Sequence, residues 1–249
     1  MSSLQISLTT FGCLLGGVLL GMRLHDRLPN HHLSKESQDT VKLGAGMVAT
    51  MSALILGLLV SSAKSSFDAM NNALALNSAK IIQLDYLLSE YGPEAQPLRV
   101  ALKQGLAGRV DAIWAHSGGL NAVERVTVML DFQRGLHKLA PANDAQKSIF
   151  VEAQRISTEV WQSRLIMIEQ QQAPVSPVLL ALLVFWLTLL FTSFGLFAPR
   201  NLTVFSVLFV CALSVASAVF LILELSHPLS GYIKASSAPL LKALELIGN

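Results

Sequence analysis

The sequence contains few charged residues. Only 14% of its 249 residues are Asp, Glu, Lys or Arg, whereas a soluble globular domain contains about 25%. A chain this poor in charge cannot cover a folded core with polar surface, which excludes an ordinary soluble enzyme and a disordered tail. The formal net charge of only +2 is too small to indicate a nucleic-acid-binding domain, so we expect no nucleic acid partner.

Cysteines and catalytic motifs are equally scarce. The two cysteines, Cys13 and Cys211, each lie in an apolar run, which excludes a disulfide framework and a CxxC site. The sequence has no HExxH, no GxSxG and no glycine-rich phosphate loop. The neighbouring His31 and His32 lack a third ligand at useful spacing for a metal. We therefore expect no enzyme activity, no catalytic residues, no metal and no cofactor.

Four long runs contain no charged residue, and they account for the composition. They cover residues 4–22, 43–63, 170–199 and 201–223. The hydrocarbon core of a bilayer is about 30 Å thick, which about 20 apolar residues cross as a helix. The runs therefore predict four transmembrane helices. The first run is not typical of a signal peptide, because Arg23 and Arg27 follow it and no Lys or Arg precedes it.

The segment between the second and third runs has the composition of a soluble domain. Residues 65–169 contain ten Lys or Arg and eleven Asp or Glu, and the acidic residues are scattered at the spacing of a solvent-facing surface. Apolar residues recur at helical spacing from Phe67 to Tyr91, and no alternating strand pattern persists. Gly92-Pro93 and residues 117–119 predict breaks, and Asn143 with Gln146 predicts a helix start.

These patterns predict an all-α integral membrane protein with four transmembrane helices and a helical extramembrane insert between helices two and three. We place a first transmembrane hairpin at 1–64, the insert at 65–172, a second hairpin at 173–225 and a tail at 226–249. The tail carries a short amphipathic stretch, residues 240–247. We expect it to lie against the insert or along the membrane surface.

Small residues in the second transmembrane helix form a ridge. They recur at every fourth position, at Ala45, Ala49, Ala53, Gly57 and Ser61. In lipid, helices associate through close backbone approach, which small side chains permit. The length of the ridge favours symmetric association around an axis. Shorter pairs in helices one and four are more simply explained by packing within one chain: Gly12 with Gly16, Gly17 with Gly21, Ala212 with Ala216, and Ser214 with Ala218.

The interior of every predicted span lacks charge, which bears on the mechanism of transport. Pumps and many ion-coupled transporters place ionisable groups there, whereas a passive channel selects with carbonyls, small polar side chains and apolar constrictions. The polar residues before helix two fit either a pore mouth or a hydrated loop with a helix cap at Ser34 or Ser37. Glu224, at the end of helix four, fits a pore mouth or the headgroup region.

Several segments resemble the bestrophin-like family of bacterial membrane proteins. In the first half they are HLSKESQD at 32–39, VKLG at 41–44, ATMSALILGLL at 49–59 and SAKSSFD at 62–68. In the second half they are FGLFAPRN at 194–201 and LILE at 221–224, followed by Pro228, Gly231 and SSAPL at 236–240. Bestrophins are pentameric anion channels with four membrane helices, a helical cytosolic portion and a pore neck lined by the second helix.

The resemblance implies an oligomeric ion channel of the bacterial inner membrane, a pentamer by analogy, whose partners are lipid and inorganic ions. The pore-lining residues that it implies are Gly46, Thr50, Ala53, Leu54, Gly57 and Ser61. The residues expected at the pore mouth are His32, Glu36, Asp39, Lys42 and Glu224. The alternative is a non-conducting membrane scaffold or sensor whose helical insert binds a partner.

The orientation in the membrane stays open at the level of the sequence. Four spans place both termini and the insert on one side, and the two short linkers on the other. Positive residues concentrate on the linker side, at Arg23, Arg27, Lys35, Lys42 and Arg200. The positive-inside rule therefore favours cytoplasmic linkers, whereas the resemblance to bestrophins implies a cytoplasmic insert.

Overall fold

All regular secondary structure in the described part of the chain is helical. The computed structural model describes residues 2–29, 34–114, 122–170, 176–199 and 201–248, and these residues contain no strand. The helices are α1 (Ser3–Arg27), α2 (Lys35–Tyr91), α3 (Gln96–Trp114), α4 (Ala122–His137), α5 (Asp144–Gln170), α6 (Pro177–Phe197), α7 (Leu202–Leu225) and α8 (Ala238–Leu246), with a 3₁₀ turn at Pro93–Ala95. The all-α prediction is confirmed. The predicted break at 117–119 and the histidines at 31 and 32 lie outside the described residues.

Four of these helices, α1, α2, α6 and α7, are long and apolar enough to cross a bilayer. The prediction of a four-span integral membrane protein is confirmed. Two of the spans begin at residues that are typical of helix starts. Asn201 caps α7, because its Oδ1 accepts a hydrogen bond of 2.9 Å from the backbone nitrogen of Val204, and α6 begins at Pro177.

The second membrane helix is much longer than its apolar run. The sequence placed its end near Lys64, yet α2 continues as one 57-residue helix to Tyr91. The apolar run ends where the composition changes, but no glycine or proline interrupts residues 58–91, so nothing ends the backbone pattern there. The helix stops at Gly92, whose φ of 124° suits glycine and disfavours other residues.

The chain divides into two compact units. The membrane unit comprises Met1–Phe67 and Pro174–Ile233, and the insert unit comprises Asp68–Ala173 and Lys234–Asn249. The predicted tail contributes to both units. Its first residues belong to the membrane unit, and α8 belongs to the insert unit.

Two parallel helices of the membrane unit, α1 and α6, approach each other closely. A Cβ on Gly17 would lie 2.9 Å from the carbonyl oxygen of Thr188, and a Cβ on Gly21 would lie 2.7 Å from the nitrogen of Leu196. These glycines therefore permit the close backbone approach expected of small residues within one chain. Gly12 and Gly16 do not take part, because a Cβ at either position would meet no atom within 4 Å.

In the insert unit, the end of the chain packs onto the helices that precede it. The backbone of residues 234–236 is bound by side chains and backbone of the insert: Trp114 Nε1 donates to the carbonyl of Ala235 at 2.9 Å, and the nitrogen of Ser236 donates to Asn71 Oδ1 at 3.1 Å. Helix α8 contacts α3 and buries Leu240 and Ala243 completely. The tail residues from 234 onward therefore lie against the insert.

Candidate pore helix

The membrane half of α2 packs on its own chain with only one face. Its buried side chains, Ser52, Leu59 and Ala63, recur at the seven- and four-residue intervals of a single helix face. In the most apolar 18-residue stretch of α2, 11% of the residues are buried, compared with 28–33% in the other three spans. Most of this span is therefore left uncovered by its own chain.

The ridge of small residues divides between the two faces. Ala45 and Ala49 pack against the core of the membrane unit, whereas Ala53, Gly57 and Ser61 are exposed. A four-residue step advances by about 40° around an α-helix with 3.6 residues per turn. The ridge therefore winds from the packed face to the exposed face, and only its second half, Ala53, Gly57 and Ser61, is exposed.

The exposed face carries two adjacent strips of different chemistry. We call the first the small strip, and it consists of Gly46, Thr50, Ala53, Gly57 and Ser61, all exposed. We call the second the bulky strip, and it consists of Leu43, Met47, Met51, Leu54 and Leu58, each more than half exposed. All six predicted pore-lining residues lie on this uncovered face. Leu54, which is 74% exposed, belongs to the bulky strip, and the other five make up the small strip.

The small strip presents little more than backbone and hydroxyl oxygen. A Cβ on Gly46 or Gly57 would meet no atom within 4 Å, so no described residue covers the helix at these points. The Thr50 Oγ1 donates to the carbonyl of Gly46 at 3.0 Å or of Met47 at 2.9 Å. Its single proton is used within the helix, and its lone pairs remain available to water or a cation.

The polar residues at the start of α2 are exposed together. Ser34 caps the helix, because its Oγ accepts a hydrogen bond from the nitrogen of Ser37 at 3.3 Å. Glu36, Asp39 and Lys42 are exposed on the first two turns. The Lys42 Nζ lies 3.8 Å from Asp39 Oδ1, and both side chains are more than 60% exposed, which makes the pair weak. His32 lies outside the described residues.

Glu224, at the end of α7, is engaged within the chain. It is only 1% exposed, and its Oε2 accepts hydrogen bonds from the backbone nitrogens of Tyr232 at 2.5 Å and Ile233 at 3.3 Å. A Cβ on Gly231 would lie 2.5 Å from the same oxygen. The carboxylate thus holds the turn after α7. The feature of the sequence that could have indicated this contact is Gly231, seven residues after Glu224.

The described residues contain no group of three or more His, Cys, Asp or Glu side chains placed to hold a metal ion. Both cysteines are exposed on the membrane helices. Neither thiol is therefore buried in the core of the membrane unit.

Comparison with known proteins identifies the family. A family model described as the Bestrophin-like domain matches residues 12–240. The chain belongs to the bestrophin-like family. The earlier recognition from short segments is thus confirmed.

Solved structures of a bacterial bestrophin homolog from Klebsiella pneumoniae have the same fold as this bestrophin-like chain. A variant with a tryptophan-to-alanine mutation superimposes with a TM-score of 0.68 at 11% identity, covering 99% of this chain and 97% of that one. A leucine-to-threonine variant gives a TM-score of 0.65 at 12% identity, covering 95% and 97%. No functionally curated protein matches the sequence significantly.

The insert unit of this bestrophin-like protein buries charges that the sequence placed on a solvent-facing surface. Asp85 is 5% exposed, and its two oxygens accept hydrogen bonds from Arg99 Nε and Nη2, each at 2.9 Å. The hydrogen bond to Asp85 raises the pKa of Arg99 above its usual value. The nitrogen of Gly248 also donates to Asp85 Oδ2 at 3.2 Å, so the pair ties together α2, α3 and the tail.

A second buried cation, Arg109, is 9% exposed. Its Nη1 donates to Asn77 Oδ1 at 2.9 Å and its Nη2 to the sulfur of Met167 at 3.6 Å. Burial, and then the charge of Arg164, lower the pKa of Arg109 to about 10, so it remains protonated at neutral pH. Asn77 and Asp85 fall on the same α2 stripe as buried Leu74, Ile81 and Leu88, which is the pattern that reveals their burial.

Proposed function

We propose that this bestrophin-like protein is an oligomeric ion channel in which the membrane half of α2 surrounds the pore. The observation that carries the proposal is the uncovered face of α2. The membrane half of α2 is the least buried of the four spans. Its exposed face presents hydroxyl groups and bare glycine backbone at membrane depth. Polar groups in hydrocarbon are stable where they line a water-filled path, which a ring of α2 helices provides.

The two strips of the exposed face have separate roles in this proposal. The small strip faces the axis, where Thr50 and Ser61 offer hydroxyl oxygens and Gly46 and Gly57 leave space beside the backbone. The bulky strip packs against the next subunit, and Leu54 lies at the boundary between the two surfaces. A lining without charge supports passive conduction. Glu36, Asp39 and Lys42 then stand at the mouth, and the assembly is a pentamer in the bacterial inner membrane.

Filling the small strip tests the proposal directly. We expect Gly57→Leu to abolish most ion flux into liposomes that contain the purified protein, because a leucine at this position projects into the path. The matched control is Gly12→Leu on α1, since both glycines are exposed membrane positions with no atom within 4 Å of an added Cβ. Flux should be retained in the control. Equal flux in both variants, with the assembly intact, would contradict an axial position for Gly57.

Thiol accessibility separates the two strips. In a background with Cys13→Ala and Cys211→Ala, a single cysteine is introduced at Thr50 or Ser61 on the small strip, or at Met51 or Leu58 on the bulky strip. A charged, membrane-impermeant thiol reagent should modify the small-strip positions and block flux, and it should spare the bulky strip. The reverse pattern would assign the axis to the bulky strip.

The competing function is a non-conducting scaffold or sensor. It requires that wild-type liposomes show no flux for any anion or cation over a range of pH, or that the purified protein is monomeric. Measurement of the mass of the detergent-purified assembly, corrected for bound detergent, gives the number of subunits. A pentamer with flux supports the channel, and a monomer without flux supports the scaffold.

A further inference from the structure

A groove on the membrane unit borders the candidate pore face and shares Gly46 with the small strip. It runs between α2 and α6 and has a volume of about 240 Å³. Its walls are almost wholly apolar. The lining residues are Val41, Lys42, Ala45, Gly46, Ala49, Ser193, Phe194 and Phe197.

The position of the groove along α2 and α6 indicates its depth in the bilayer. It begins one to two turns into α2, which starts at Lys35, and it ends at the last turn of α6, which stops at Phe197. The uncharged run of α2 starts directly after Lys42. One end of the groove therefore reaches the headgroup region, and the other end extends into the hydrocarbon core.

The polar atoms of the groove are confined to one end and one wall. Lys42 supplies an ammonium group at the polar end, and its ion pair with Asp39 is long and exposed, so its charge remains available to a ligand. The hydroxyl of Ser193 donates to the carbonyl of Leu189 at 3.0 Å. It is therefore satisfied within α6 and does not require a polar partner.

We propose that this groove binds an anionic phospholipid, with the phosphate on Lys42 and an acyl chain along Ala45, Ala49 and Phe194. Charge complementarity supports this occupant, because a basic group at the edge of a groove between membrane helices is a recurrent site for anionic headgroups. A helix of a second copy is about 10 Å wide, too wide for a groove of this volume. The proposal does not depend on ion conduction.

Native mass spectrometry of the detergent-purified protein tests the site, with dioleoyl phosphatidylglycerol as the titrant. We expect Lys42→Gln to weaken binding about five-fold, the effect of removing one basic residue near an anionic headgroup. Lys35→Gln is the control, because Lys35 is exposed at the start of the same helix and does not line the groove. Equal weakening in both variants would overturn the proposal.

Filling the groove tests the acyl-chain half of the site without touching the candidate pore face. Ser193→Leu should reduce lipid binding, whereas Ser217→Leu on α7 should not. The two serines are matched, because each donates to the carbonyl four residues earlier, at 3.0 Å and 2.8 Å respectively. Unchanged binding in Ser193→Leu, in protein of wild-type thermal stability, would overturn the proposal.

Two further ligands identify what the site recognises. Dioleoyl phosphatidylcholine, which carries no net charge, should bind more weakly than phosphatidylglycerol in the wild type and should be insensitive to Lys42→Gln. Inorganic phosphate at millimolar concentration should not displace phosphatidylglycerol. Equal affinity for the two lipids would overturn the assignment of an anionic headgroup, and displacement by phosphate would overturn the assignment of a lipid.

Discussion

At the scale of single residues, glycines that all lie in apolar membrane helices have different roles. Gly21 and Gly195 lie where α1 and α6 nearly touch, and added Cβ atoms there would approach backbone atoms of the opposite helix. Gly12 and Gly57 face open space. Backbone atoms of a packed helix cannot turn aside as a side chain can. The same substitution therefore has different consequences at the two kinds of site.

Gly21→Ala should lower the free energy of unfolding of the detergent-solubilised protein by about 1–3 kcal/mol, the usual range for overpacking. Thermal unfolding followed by tryptophan fluorescence measures the change. Gly12→Ala is the control, and it should leave stability unchanged or slightly raised, because alanine is the better helix former. A stable Gly21→Ala variant would show that α1 and α6 can separate without cost.

The buried carboxylate of Glu224 gives a second prediction at this scale. Glu224→Gln keeps an acceptor for the nitrogens of Tyr232 and Ile233 but removes the charge, and hydrogen bonds to charged groups contribute about 1.5–3 kcal/mol, compared with about 0.5–1.5 for neutral ones. We expect faster proteolytic cleavage within residues 226–233. Ser230→Ala, an exposed position in the same turn, should leave the cleavage rate unchanged. Equal rates in Glu224→Gln and wild type would contradict the role of the carboxylate.

At the scale of elements, α2 and α5 are linked by charge in the insert unit. The Lys80 Nζ lies 3.1 Å from Glu159 Oε2, and Glu159 also accepts a hydrogen bond from Arg155. The hydrogen bond to Lys80, followed by the charges of Arg155 and Lys80, lowers the pKa of Glu159. A lowered pKa in the folded state means that folding favours the charged carboxylate.

This contribution to stability should therefore be fully present above the pKa of the unfolded glutamate, about 4.3, and should be lost as the pH falls through the lower folded value. We expect the wild-type melting temperature to fall on acidification below about pH 4.5. Glu159→Gln should have a lower melting temperature than wild type at neutral pH and a smaller acid decline. An identical pH profile in Lys80→Gln, Glu159→Gln and wild type would contradict the coupling.

Local signals in the sequence predicted several helix ends, but the full length of α2 and the winding of the small ridge were not predicted. Capping and breaking signals at Asn143 and Gly92 located helix ends, because these signals act within a few residues. The continuation of α2 past Lys64 was missed, because a change from apolar to charged composition does not interrupt the backbone hydrogen bonds of a helix. The winding of the small ridge was missed too, because strict four-residue spacing differs from the 3.6-residue turn.

At the scale of the whole molecule, the bilayer replaces water as the solvent for half of the chain. The membrane unit satisfies its backbone within helices, as it must in hydrocarbon, and it leaves one face of α2 uncovered. The insert unit has a core of its own, which contains the ion pair of Asp85 with Arg99 and the buried, hydrogen-bonded Arg109. The candidate pore face and the candidate lipid groove both belong to the membrane unit, and they meet at Gly46 on α2.

The sequence by itself determined the four membrane spans, the helical insert and the family, because these depend on local hydrophobicity, helix periodicity and short motifs. The tertiary structure alone decided which glycines touch another helix, which half of the small ridge is free and where Glu224, Asp85 and Arg109 are buried. These outcomes depend on which helix faces meet. The contacts join residues far apart in the chain, and spacing along one helix does not specify the partner across from it.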